Sequence, residues 1–154
     1  MANKLRLKAQ DDDDLTIISA YLQDAVTVVG DFSFRPKERL FAMMLNRYIW
    51  EDYKSGGNSK EEINCHRIRT GCHFENIINV SVQNIPQDDK KHILELLAIE
   101  SSELDNGNVA LELIFAADAV IKLEAELIEG QMQDVGEPYP AACHPKHEII
   151  EILS

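Results

Sequence analysis

Long apolar runs are missing from this sequence. No stretch reaches the roughly 18 consecutive apolar residues that a membrane-spanning helix needs. The opening residues, MANKLRLKAQDDDD, carry cations but no apolar core and no small-residue cleavage site, which is not the pattern of a secretory signal. Cysteine is scarce: Cys65, Cys72 and Cys143 are the only three. An odd number sits poorly with an exported, disulfide-framed domain, so reduced thiols in a cytoplasm are the expected state. Basic residues are few. Lys and Arg number 15 against 27 Asp and Glu, a net charge of −12 in 154 residues. Such a surface repels phosphate backbones and anionic lipid, so neither nucleic acid nor membrane is an expected partner. Phosphate-cradling glycine loops, nucleophile elbows and His-Glu-x-x-His are also lacking.

What is present suffices for one folded domain. Hydrophobic residues make up 45% and charged residues 27%, which argues against disorder. The acidity is uneven. Residues 1–77 are close to neutral, whereas residues 78–154 hold 4 Lys/Arg and 15 Asp/Glu, net −11. That asymmetry is read as a solubilising face or as one of two electrostatic faces with different partners.

Periodicity divides the chain. Residues 5–9 (LRLKA) alternate like a half-buried strand. In DDDDLTIISAYLQDAV the apolar residues recur every three or four positions, which predicts a helix. Its leading aspartates suit the free N–H groups and positive pole of a first turn. They lack the alternation and glycine of a calcium loop. FSFRPKERLF reads as a hairpin turning at Pro36, and its outgoing strand, 40–50, opens apolar on both faces. Segment 51–62, with Gly56 and Gly57, is the best loop and the expected mobile segment. Another hairpin is expected over 66–84, turning near Glu75 and Asn76, and a third across Asp105-Asn106-Gly107-Asn108. Ala116-Ala117-Asp118 turns the chain into a further strand. Leu123, Leu127, Ile128, Gln131, Met132 and Val135 then follow a helical spacing that Gly136 and Pro138 end.

These elements predict an α+β domain over 1–136, with a partly ordered tail over 137–154 in which HEIIEILS is an amphipathic scrap. The expected architecture is a strongly bent antiparallel sheet of about seven strands, with an N-terminal helix and a C-terminal capping helix. That describes a pleckstrin-homology-like barrel, with the helix-grip fold as the alternative. Leu5, Leu22, Phe41, Leu45, Val80, Leu111, Leu113, Leu123 and Ile128 fall on the apolar parity of their elements and are expected in the core.

One resemblance runs nearly the length of the chain. Phe34-Arg35-Pro36-Lys37-Glu38-Arg39-Leu40-Phe41, continuing to Leu45-Asn46-Arg47 and Trp50-Glu51, resembles the signature stretch of an uncharacterised bacterial family, domain of unknown function 2948. Leu5-Arg6-Leu7 with Leu15 to Asp24, Val109 to Phe115, Ile121 to Glu129 and Pro145-Lys146-His147 are similar to it too. The resemblance implies a small cytoplasmic bacterial protein without an assigned activity, and it supplies no catalytic residues.

Three constellations merit a chemical reading. Cys65-His66, Cys72-His73, Cys143-His144 and His147 are residue types that zinc prefers, but not at the usual spacing of two to four, and neighbours on a strand point to opposite faces. A cysteine nucleophile with a histidine base is conceivable on paper, yet nothing local singles one out. Neither a metal site, a catalytic residue nor a cofactor is expected. Third, Arg35, Lys37 and Arg39 on a turn, with Asn46, Arg47 and Trp50 on the strand after it, form a candidate partner-binding surface. The competing account is a solvated turn with ion pairs, and a Trp packed at the rim of the core. The expected function is therefore a non-catalytic interaction module contacting a protein partner or a second copy. A small-molecule binder or enzyme, with a cavity between the sheet and the last helix, is the alternative.

Overall fold

A computed structural model describes residues 4–52 and 65–143. In chain order the elements are β1 (Arg6–Ala9), α1 (Asp12–Leu22), β2 (Val26–Val28), β3 (Phe32–Arg35), β4 (Leu40–Tyr48), β5 (His66–Phe74), β6 (Ile77–Gln83), β7 (Ile93–Glu103), β8 (Val109–Phe115), β9 (Ala119–Ala125), β10 (Gly130–Asp134) and β11 (Tyr139–Pro140). Short 3₁₀ turns cover Val29–Asp31 and Trp50–Asp52.

The strands lie in the order β1-β10-β5-β4-β2-β7-β8-β9-β6, with β3 added to β4 and β11 to β5. Their pairings are antiparallel. This sheet of eleven strands carries one helix among the described residues, so the expected seven-stranded barrel with two helices is corrected in both respects. The sheet does not close, because β1 and β6 stand at opposite ends of the strand path and do not pair.

Residues 123–135, expected to form the C-terminal capping helix, fall on two strands and the turn between them, which also overturns the helix-grip alternative. The inward alternation of Ala119, Ile121 and Leu123 continues to Ala125, all buried, and the chain then turns into β10. There Gly130, Met132 and Asp134 point inward. The helical spacing over 123–135 came from residues on two different strands; Leu127 and Val135, two of its members, are about half exposed. Nor do β5 and β6 form a hairpin. β5 lies between β4 and β10, and β6 pairs with β9. The corner between them puts Asn76 in left-handed backbone (φ 61°). There Ile77 N–H donates to Arg39 O and Glu126 N–H to Asn76 O.

The N-terminal helix forms where the spacing places it. Asp11 caps it, accepting from Asp14 N–H at 2.8 Å, and Asp14 reaches back to Gln10 N–H at 3.0 Å. This reciprocal arrangement satisfies donors the first turn leaves open. Leu15, Ile18 and Leu22 turn inward, and Ser19 Oγ accepts from Ile99 N–H at 2.8 Å, tying the helix to β7. Of the expected core residues, Leu22, Phe41, Leu45, Leu111, Leu113 and Leu123 are buried. Leu5, Val80 and Ile128 are partly buried against them. The loop expected at 51–62 lies outside the described residues from 53 onward, as does HEIIEILS in the tail.

Candidate functional site

The inner face of β4 runs Phe41, Met43, Leu45 and then Arg47, so the strand pattern that buries three apolar residues buries a guanidinium as well. Arg47 is 1% exposed. Its Nε and Nη2 donate to Asp134 Oδ1 and Oδ2, each at 2.8 Å, and its Nη1 and Nη2 reach Glu51 at 3.0 and 2.8 Å. Thr70 Oγ1 and Leu5 N–H complete the shell around Asp134. Burial works to raise the Asp134 pKa. The Arg47 hydrogen bonds and charge, with Thr70 and the Leu5 N–H, outweigh it and hold the carboxyl below its usual range. For Arg47, burial opposes the charge while the two carboxylates sustain it, with a net rise. The cluster is a structural lock: Arg47 is shared between two carboxylates and also donates to Tyr48 O at 3.0 Å.

Tyr48 and Trp50 form a second small core with Cys65. Trp50 is 3% exposed, and its Nε1 donates to Gln23 O at 3.1 Å. Tyr48 Oη donates to Ala142 O at 2.6 Å, and the Arg67 guanidinium lies 3.8 Å above the Tyr48 ring. Beside them Cys65 and Cys143 are disulfide-bonded, with Cα atoms 5.3 Å apart. This corrects the expectation of three reduced thiols. The spacing of 78 residues hides the pairing from sequence; β11 creates it by laying Tyr139 and Pro140 against Arg67 and His66. Cys72 is the free cysteine. It is buried, and burial pushes its thiol up to about 12, which removes the thiolate a nucleophile requires. No group of three or more potential metal ligands comes together among the described residues.

The six residues of the expected partner surface therefore separate. Arg47 and Trp50 are interior, where the alternation of β4 and the following 3₁₀ turn direct them. Asn46 is half-buried and its carbonyl accepts from Arg67 at 2.6 Å. Arg35, Lys37 and Arg39 remain exposed on the β3–β4 turn, with Arg35 paired to Glu38 at 3.4 Å and Arg39 to Glu126. The turn abuts the start of β6 through the bond from Ile77 N–H to Arg39 O.

Sequence reading missed the site that this proximity defines. β6 ends the strand path, and among the described residues only β9 pairs with it. Its sequence, IINVSVQ, holds no charge, proline or glycine. The opposite end strand, β1 (RLKA), displays Arg6 and Lys8 to solvent. Lysine and arginine on an edge discourage pairing with foreign strands, and β6 lacks that protection. Alternation in IINVSVQ was legible; its place at the end of the sheet was not, because that depends on β6 pairing with β9 instead of β5.

A cavity of about 170 Å³ opens between β3 and β6. It is smaller than the few hundred Å³ that drug-sized ligands occupy, and it lies away from the sheet–helix interface expected for a ligand site.

The family model for proteins of unknown function, DUF2948, matches residues 5–147. The chain belongs to that family. Membership spans β1 to β11 and so includes both the Arg47–Asp134 lock and the β6 edge. No curated protein and no solved structure matches the chain. No helix among the described residues is long and apolar enough to cross a membrane.

Proposed function

We propose that this member of the family is a non-catalytic protein-interaction module that binds by strand addition along β6. The uncharged outer edge at the end of the sheet carries the reading. An extended segment of a partner, or β6 of a second copy, satisfies that edge's open backbone groups and extends the sheet. The β3–β4 turn, with Arg35, Lys37 and Arg39, stands at the Ile77 end and favours an acidic partner. The acidic half of another copy meets that description, as residues 78–154 are net −11. Nucleic acid and anionic membranes do not suit a protein of net charge −12. A bacterial cytoplasm, implied by the resemblance of the sequence, remains part of the proposal. The Cys65–Cys143 bridge weighs against it, since cytoplasmic thiol pools keep most such pairs reduced.

The test is sedimentation across a concentration and salt series, alone and with binding partners captured by affinity from a native host. Ser81 and Gln83 are exposed, so Ser81→Lys with Gln83→Lys places two charges on the edge at little cost to folding. Association lost in that variant while the melt is retained supports the reading. Association that is indifferent to both lysines contradicts it.

A further inference from the structure

The cavity between β3 and β6 has a composition that selects a ligand. Phe32, Phe34 and Phe41 line one side, and Val80 and Val82 the other. Phe32 also stacks edge-on against Phe115, with ring centroids 5.9 Å apart, so its ring is held from behind. The polar residues of the lining are Ser33, Gln87 and Lys90. Among the described residues Lys90 is the one charged residue of the lining, no carboxylate residue lines the cavity, and none pairs with Lys90.

The backbone at Lys90 is fixed beside the cavity. Gly30 N–H donates to Lys90 O at 2.9 Å, and Val29 N–H to His92 O at 3.0 Å, fastening the loop after β6 beside the cavity mouth. The neighbouring Asp89 carboxylate is turned back onto the loop, accepting from Lys91 N–H at 3.2 Å. An exposed lysine thus stands at the border of an apolar hollow in a molecule whose net charge is −12.

We infer that this cavity binds a small free monocarboxylate with an aromatic or branched apolar body. The body enters among the phenylalanines, and the carboxylate stays at the rim, accepting from the Lys90 ammonium. The volume limits the body to about one ring, since a cavity of roughly 150 Å³ accommodates a benzene molecule. Charge complementarity disfavours cations and dianions: a cation is repelled by Lys90, and a second anionic group finds no second cation in the lining. The site adjoins the edge proposed for strand addition, since β3 and β6 form its two sides, but it is read through the side chains of Val80 and Val82 and not through backbone pairing.

Benzoate is the probe, with benzyl alcohol as its neutral counterpart. Each is titrated into the full chain while backbone amide resonances are followed. Saturable benzoate shifts are expected at Ser33, Val82 and Gln87, with affinity about tenfold above that of benzyl alcohol, the worth of one charge-assisted hydrogen bond. Lys90 is exposed, so Lys90→Ala folds normally; it is expected to lower benzoate affinity to the level of the alcohol while leaving the alcohol unchanged. Absence of a saturable benzoate shift overturns the inference. So does equal affinity for the two probes, or benzoate binding that Lys90→Ala leaves intact. Association through β6 is read separately, by sedimentation in the absence of either probe.

Discussion

Arg47 and Asp134, 87 residues apart in sequence, meet fork to fork through two hydrogen bonds of 2.8 Å. That pair joins the middle of the sheet to its β10 side, and the Leu5 N–H extends the junction to β1. Removing one partner leaves the other's charge buried without compensation. Arg47→Met and Asp134→Asn are each expected to cost about 3 kcal/mol in urea unfolding, and together less than the sum.

The same pair sets a pH dependence. The folded-state pKa of Asp134 lies below the usual aspartate value, so the stability it contributes is present above the unfolded value of roughly 3.9 and is lost as pH falls through the folded one. Glu124, bonded by Asn108, Asn106 and Asn79, is shifted in the same direction and adds to the same acid-side loss. The urea midpoint of the parent should decline below about pH 4, and less steeply in Asp134→Asn.

The cysteines give a count. Denatured without reductant, the chain is expected to expose one reactive thiol, Cys72, and after reduction all three. In the native state Cys72 should resist thiol reagents, being buried and held protonated. Cys65→Ser releases a crosslink across 78 residues and should lower stability by roughly 3–4 kcal/mol. Three reactive thiols without reductant would contradict the bridge.

Gly130 opens β10 against Phe74. A Cβ there would lie 2.6 Å from Phe74 Cδ1 and 3.0 Å from His73 O. Phe74 is fully buried, and the His73 carbonyl belongs to the paired strand, so neither yields readily. Gly130→Ala is expected to cost about 2 kcal/mol in a thermal melt. Gly107→Ala, with open space but a φ of +88°, should cost about 1 kcal/mol through backbone strain alone.

Local features of this fold were legible in the sequence. DDDD before an apolar helix pattern is a cap, and Asp11 with Asp14 makes one. Parity placed Leu45, Leu111 and Leu123 inside. Misreadings arose where meaning depends on distant partners. Arg47 reads as a surface cation until Asp134 is known to face it. Residues 123–135 fit a helical period because two short strands and a turn happen to space their apolar residues that way. Cys65 and Cys143 meet only because β11 returns to β5. The β6 edge was hidden for the same reason: whether a strand lies inside a sheet or at its end is a property of topology, not of its own residues.

Amide hydrogen exchange along β6, followed against protein concentration and against added partner, tests strand addition most directly. Outward-facing amides of β6 after Ile77, whose own N–H is bonded to Arg39 O, are expected to exchange rapidly in the dilute isolated chain and to become protected on association, while those of β1 do not change. Protection on β6 that is already complete in the dilute monomer, or that appears on β1 instead, would contradict it.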